Sequence, residues 1–194
     1  MGLIDVQRVL AQLYTNTALR ERFLCDPQTV GQALGLGGTE IEQIAQMSAQ
    51  QITRFAHSLQ SKRLGEIDKL LPLSYKVLGT RFTALFRQYA DTYIPSGINK
   101  HRDDAIAFAA FIEQIAHDTG IEPAWATEVL LYEKSRLLAS EATRHLVIST
   151  FRYRISELLP GVMRGNELPP LVKRPSLVVW CRVWPKGRLW RIIL

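Results

Sequence analysis

The spacing of apolar residues changes from a helical period to a period of two at about Glu141, and that change constrains the fold more than any other feature of the chain. Before it, Leu3, Val6, Leu10 and Leu13 mark a first helix. Thr15 and Asn16 can cap a second, and Asp26-Pro27 sets an N-cap beside a proline at a first helical position. Gly35 closes that third helix at Leu34. Thr39-x-x-Glu42 and Ser48-x-x-Gln51 both have the form of capping boxes. The helix from Ser48 carries Ile52, Phe55, Ala56 and Leu59, then continues or kinks through Leu64, Ile67 and Leu71 to Pro72. Tyr75, Leu78, Phe82, Leu85, Phe86 and Tyr89 form one stripe, ended by a loop at Tyr93-Ile94-Pro95-Ser96-Gly97. A helix starting near Asp103 and Asp104 stops at Asp118-Thr119-Gly120, and a last one opens at Glu122-Pro123 with Trp125, Val129, Tyr132 and Leu137. Seven or so helices on short links predict a mainly α fold, a multi-helix bundle of mixed orientation.

After the change of period, Val147, Ser149, Phe151, Tyr153 and Ile155 alternate with Ile148, Thr150, Arg152 and Arg154, which predicts a strand. Pro160 to Pro175 reads as a proline-broken loop, and Leu177 to Trp184 as a second strand. Pro185-Lys186-Gly187 turns the chain into a third, Arg188 to Leu194. Three antiparallel strands need a face to bury, so this sheet must pack on the helices or on a partner. The expected organisation is a helical domain over 1–140 and a basic β-rich subdomain over 141–194 packed on it. In the last strand, Arg188, Trp190, Ile192 and Leu194 are the more apolar set and are expected to face the helices, leaving Arg191 outside.

Hydrophobic residues make up 47% of the 194 and charged residues 22%, which excludes wholesale disorder. Cys25 and Cys181 are far apart and in no metal-binding spacing. The N-terminus lacks a signal-peptide pattern, and no apolar run approaches the roughly 20 residues of a membrane span, so a cytoplasmic location is expected. The net charge of +6 is uneven: residues 144–194 hold ten Lys or Arg against Glu157 and Glu167, or +8, and the rest of the chain carries −2. Such asymmetry suits an anionic partner, and it equally suits a small sheet kept soluble by its wet face.

The residues of catalysis are sparse. His101-x-Asp103-Asp104 supplies two metal ligands at best, and a helix N-cap explains the same carboxylates. Gly35-Leu36-Gly37-Gly38 follows a helix rather than a strand, which argues for a cap and linker over a phosphate loop. Cys25 lies near a helix N-terminus with no histidine nearby in sequence. No catalytic residue, metal ligand or cofactor is expected, and the chain reads as a binding protein rather than an enzyme. Its candidate partner-binding residues are Arg152, Arg154, Arg182, Trp184, Arg188 and Arg191, where guanidinium groups beside tryptophans could stack on bases or hold an anionic peptide. An exposed strand edge could also accept an extended peptide.

Two stretches carry resemblances. Leu19-Arg20-Glu21-Arg22-Phe23, Asp26-Pro27 and Gly35-Leu36 with Glu40 resemble a small helical module of the accessory subunits of extradiol ring-cleavage dioxygenases and of nitrile-hydratase-like leader peptides. Phe55-Ala56-x-Ser58-Leu59-x-x-Lys62-Arg63, Leu71-Pro72, Leu78-Gly79, Phe82, Phe86-x-x-Tyr89-Ala90, Pro95, Asp104-Ala105 and Phe108, with Trp125 and Glu133, resemble the helical partner proteins of multinuclear non-haem iron-dependent oxidases that modify ribosomal peptides. That second resemblance covers about residues 5 to 140. It implies a non-catalytic accessory protein that binds a precursor peptide and docks on the oxidase. Nucleic-acid binding through the basic aromatic sheet and service as a small dioxygenase subunit are the alternatives.

Overall fold

A computed structural model describes residues 3–165, 172–184 and 187–194, and among these lie ten helices and one three-stranded antiparallel sheet. The mainly α fold with a C-terminal sheet follows the change of period. The chain forms two compact units, Met1–Gly65 with Arg87–Ile94, and Glu66–Phe86 with Pro95–Leu194. Residue 140 falls inside the second of these.

In the first unit, α1 (Leu3–Thr15), α2 (Thr17–Cys25), α3 (Pro27–Ala33) and α4 (Gly38–Ala45) precede the start of α5 (Ala49–Leu70). Asn16 and Asp26 cap α2 and α3 by accepting from the backbone N–H of Leu19 and Thr29. Ser48 and Gln51 close a reciprocal box. The box expected at Thr39 is displaced, because α4 starts at Gly38 and Glu40, not Glu42, reaches back to the Gly37 N–H at 2.8 Å. Val9, Leu13, Phe23, Val30, Ile41 and Ile44 form the core. A Cβ at Gly31 would lie 2.6 Å from the Ile41 side chain, so only glycine lets α3 and α4 approach so closely.

The second unit contains the end of α5, α6 (Pro72–Leu78), the first residues of α7 (Thr80–Ala90), α8 (Lys100–Thr119), α9 (Ala126–Ala139), β1 (Leu146–Phe151), α10 (Ile155–Arg164), β2 (Ser176–Cys181) and β3 (Trp190–Ile193). The stripe from Tyr75 to Tyr89 is divided, since Gly79 at φ +53° ends α6 and α7 sets off afresh. Phe82 and Phe86 meet Phe108 of α8 edge-on at 5.0 and 5.4 Å. Asp104 is not the α8 N-cap, which is Asn99; it is buried within the helix.

The first strand ends at Phe151, earlier than expected, and Ile155 opens α10 instead of extending the strand. Pro160 and Gly161 argue for a loop there. Ile155, Leu158, Leu159 and Val162 nevertheless recur at i, i+3, i+4 and i+7 and are all buried, and that stripe outweighs the one backbone hydrogen bond lost at Pro160. The rest of the expected loop, residues 166–171, and Pro185-Lys186 of the expected turn lie outside the described residues.

Helix α9 packs on α6, α8, α10 and the sheet, and its polar side chains hold its neighbours. Glu133 is 2% exposed and accepts from the Leu73 N–H (2.9 Å), the Ser74 N–H (2.8 Å) and the Ser74 hydroxyl (2.6 Å). These are the second and third residues of α6, whose own N-cap, Leu71, has no acceptor side chain. One turn on, Arg136 donates to the Leu70 carbonyl at the end of α5. A carboxylate thus sits at one helix N-terminus and a cation at the preceding C-terminus, the signs each end favours.

Removing the carboxylate by Glu133→Ala would leave the α6 donors buried without an acceptor, at a cost on the order of 3 kcal/mol in urea unfolding. Burial pushes the Glu133 carboxyl above its ordinary pKa, against the opposing pull of the Ser74 and Leu73 donors and Arg136. Its native pKa then exceeds the unfolded one, so its stabilising term is complete below about pH 4 and is lost as pH rises through the native value. The unfolding free energy of the wild type minus that of Glu133→Gln should therefore fall as pH rises from about 4 through the raised native pKa.

Candidate functional site

The sheet has the order β1-β2-β3. Its inner face is set by β2, where Ser176, Val178 and Trp180 are buried and the alternate residues are not. Trp180 donates its indole N–H to the Ser135 hydroxyl of α9 at 3.0 Å and packs with Val129, Phe151 and Leu158. Pairing then dictates the other strands. Val178 faces Ile193 and Trp180 faces Arg191, so Ile193 and Arg191 lie on the helix side. The expected orientation of the last strand is therefore reversed. Arg191 donates to the Tyr132 hydroxyl of α9 at 2.5 Å, while Trp190, Ile192 and Leu194 are 51%, 49% and 71% exposed. Cross-strand register, not the strand's own composition, decides which face is buried.

The outer face that results is apolar in three successive rows. Cys181 stands between Leu146 and Trp190, and Val179 stands between Ile148 and Ile192. Leu177 stands between Thr150 and Leu194, with which it exchanges two backbone hydrogen bonds. Leu146 and Ile148 are 58% and 55% exposed, so no described residue covers this face. Contiguous exposed apolar surface of this kind marks interaction sites more often than chance.

Both ends of the sheet carry cations. At the Leu146 end, Arg182 leaves β2, and Arg188 stacks its guanidinium over the Trp190 ring at 4.7 Å. At the Thr150 end, Arg152 and Arg154 follow β1, and exposed Lys173 and Arg174 lead into β2. The six expected binding residues accordingly serve different ends. Arg152 is committed to the fold: its Nε and backbone N–H donate to buried Glu128 of α9 at 2.8 and 2.9 Å. Arg154 pairs with Glu157 at 3.0 Å on the surface. Arg182 is partly buried, with one nitrogen 3.5 Å from the Ala139 carbonyl. Arg191 is exposed but tied to α9 through Tyr132, and Arg188 and Trp184, the latter 72% exposed, also lie at the surface.

Leu146, Ile148, Ile192 and Leu194 were not expected at a site. The signal for them is that β1 and β3 are apolar on both alternating sets, more than a sheet covered on one side needs. Arg152 also borders a cleft of about 400 Å³ with Glu113, His117 and Glu122. Among the described residues no three His, Cys, Asp or Glu gather as a metal site, and no helix is long and apolar enough to cross a membrane. His101 is exposed, and Asp103 is taken by Arg102 at 2.9 Å.

Residues 45–114, from the end of α4 into α8, match the family model described as SCO6045-like, C-terminal domain. The sheet lies outside the matched stretch. No curated protein matches the sequence.

Arg191→Ala removes the Tyr132 partner and should lower stability by about 1 kcal/mol. Trp190→Ala, from a half-exposed position, should cost less than that. Thermal unfolding of the two variants checks the order, and a larger drop for Trp190→Ala would put the wrong face of β3 against the helices.

Proposed function

We propose that this chain is an accessory binding protein that holds a peptide and brings it to a partner enzyme. The observation that carries this reading is the uncovered apolar face of the sheet, with cations at both of its ends and an exposed arginine-tryptophan stack at one corner. Apolar area supplies affinity without demanding one ligand sequence, and the surrounding charge favours acidic ligands. The resemblance of the helical region to partner proteins of peptide-modifying iron-dependent oxidases supplies the class of enzyme and makes the ligand a precursor peptide. Co-expression with the products of the neighbouring genes tests it: an oxidase or its precursor peptide should elute with the chain from gel filtration at micromolar concentration. Failure of both to associate would sink this reading.

A second reading, binding of a nucleic acid, draws on the stacked Arg188–Trp190 pair and exposed Trp184, which offer planar groups for bases beside positive charge. It predicts that log affinity for a labelled oligonucleotide falls with log salt at a slope of about −0.9 per phosphate contact on duplex DNA. A flat response, or no mobility shift at low salt, removes it.

A further inference from the structure

We infer that the outer face of the sheet takes an amphipathic α-helix of about three turns with carboxylates near both ends, supplied by the peptide ligand. This rests on the binding reading above and specifies the bound form. Three chemical features of the face point to it.

The first is hydrogen bonding. Among the nine residues of the three rows only Thr150, Cys181 and the Trp190 indole carry a polar side-chain atom, so the face has little to offer a peptide backbone. An extended segment laid across it would bury N–H and C=O groups without partners, whereas a helix satisfies its own. Extended peptides add at sheet edges; apolar faces suit helices.

The second is size. Three strands about 4.8 Å apart place the outer two about 10 Å from each other, close to the 10–12 Å diameter of one helix with its side chains. From the Leu146 row to the Thr150 row is four residues of strand, about 13 Å, which about nine helical residues span at 1.5 Å each.

The third is charge. A helix lying along the strands brings its ends to Arg188 on one side and to Lys173 and Arg174 on the other. Neither Lys173, Arg174 nor Arg188 forms a salt bridge with a described carboxylate, whereas Arg144, Arg152 and Arg154 do. Glutamate or aspartate in both end turns of the ligand complements this arrangement. A second copy of the chain does not, since it would present the same cations to one another.

The test uses the full chain with Cys25→Ser, leaving Cys181 on the outer face as the one thiol, and a fluorescein-labelled synthetic peptide. The peptide has leucines at i, i+3, i+4 and i+7 and glutamates in both end turns. Anisotropy should report saturable binding, at least tenfold weaker for the same peptide with lysine ends and for one with a central proline. Ile148→Asp and Ile192→Asp should each weaken it at least tenfold while leaving the melting temperature within a few degrees, as expected for half-exposed positions. The bound peptide should also slow maleimide labelling of Cys181. Equal binding of the proline peptide, or undiminished labelling of Cys181, would place the ligand at an edge and overturn the helix while leaving the accessory role standing. Absence of binding by every peptide overturns it too. So does protection of Cys181 by self-association, seen as a concentration-dependent mass in sedimentation. Co-elution of an oxidase or precursor peptide that survives Ile148→Asp would keep the accessory role and discard this face as its seat.

Discussion

The second unit depends on one buried carboxylate. Glu133 stands where α6 has no cap of its own, and it fixes the start of that helix to the middle of α9. Two of the three donors are main-chain groups, so no side-chain change within α6 can remove them. Only the register of α9 against the α5–α6 junction can satisfy them, and Arg136 one turn later locks the same register from the other side. A carboxylate of this kind contributes modest net stability, because burial penalises its charge, but a shifted register would leave both the charge and the helix end unpartnered. It acts on uniqueness more than on depth.

The same helix gives each strand one polar anchor. Glu128 takes Arg152 just after β1, Ser135 takes the Trp180 indole of β2, and Tyr132 takes Arg191 of β3. On the opposite flank Lys134 pairs with Glu113 of α8 at 2.6 Å. A three-stranded sheet alone would be free to slide on an apolar helix, since hydrophobic packing is weakly directional. The three anchors, spread along α9, remove that freedom. The face turned away from α9 therefore keeps a fixed arrangement of side chains although no described residue rests on it.

Helical order in the first 140 residues was legible because its signals are local. Asn16, Asp26, Ser48 and Pro72 sit at or beside the helix starts that their chemistry marks. Legibility failed where a distant partner decided. Gly79 was hidden by a stripe of aromatics that continues across the break, and α10 was hidden by Pro160, whose local cost is offset by burial against α6 and α9. The face of β3 could not be read from β3, because Trp180 on the neighbouring strand and Tyr132 on a helix 59 residues earlier determine it. The basic residues were visible as a group, yet their separation into fold anchors and surface charges required knowing where Glu128 and Glu157 fall.

The inversion of β3 has a bearing on how this molecule behaves in a crowded solution. An uncovered sheet with large apolar groups invites adhesion between identical chains, and proteins guard such surfaces with charge. Here exposed cations stand at the sheet ends, where Arg188, Lys173 and Arg174 of one molecule would repel the same groups on another. The repulsion reaches over a Debye length of about 8 Å at physiological ionic strength and shrinks as salt is added. On the binding reading proposed above, the cations that would admit an acidic visitor would also hold sister chains at a distance, and the sheet would work as a turnstile whose selectivity lies in what it turns away.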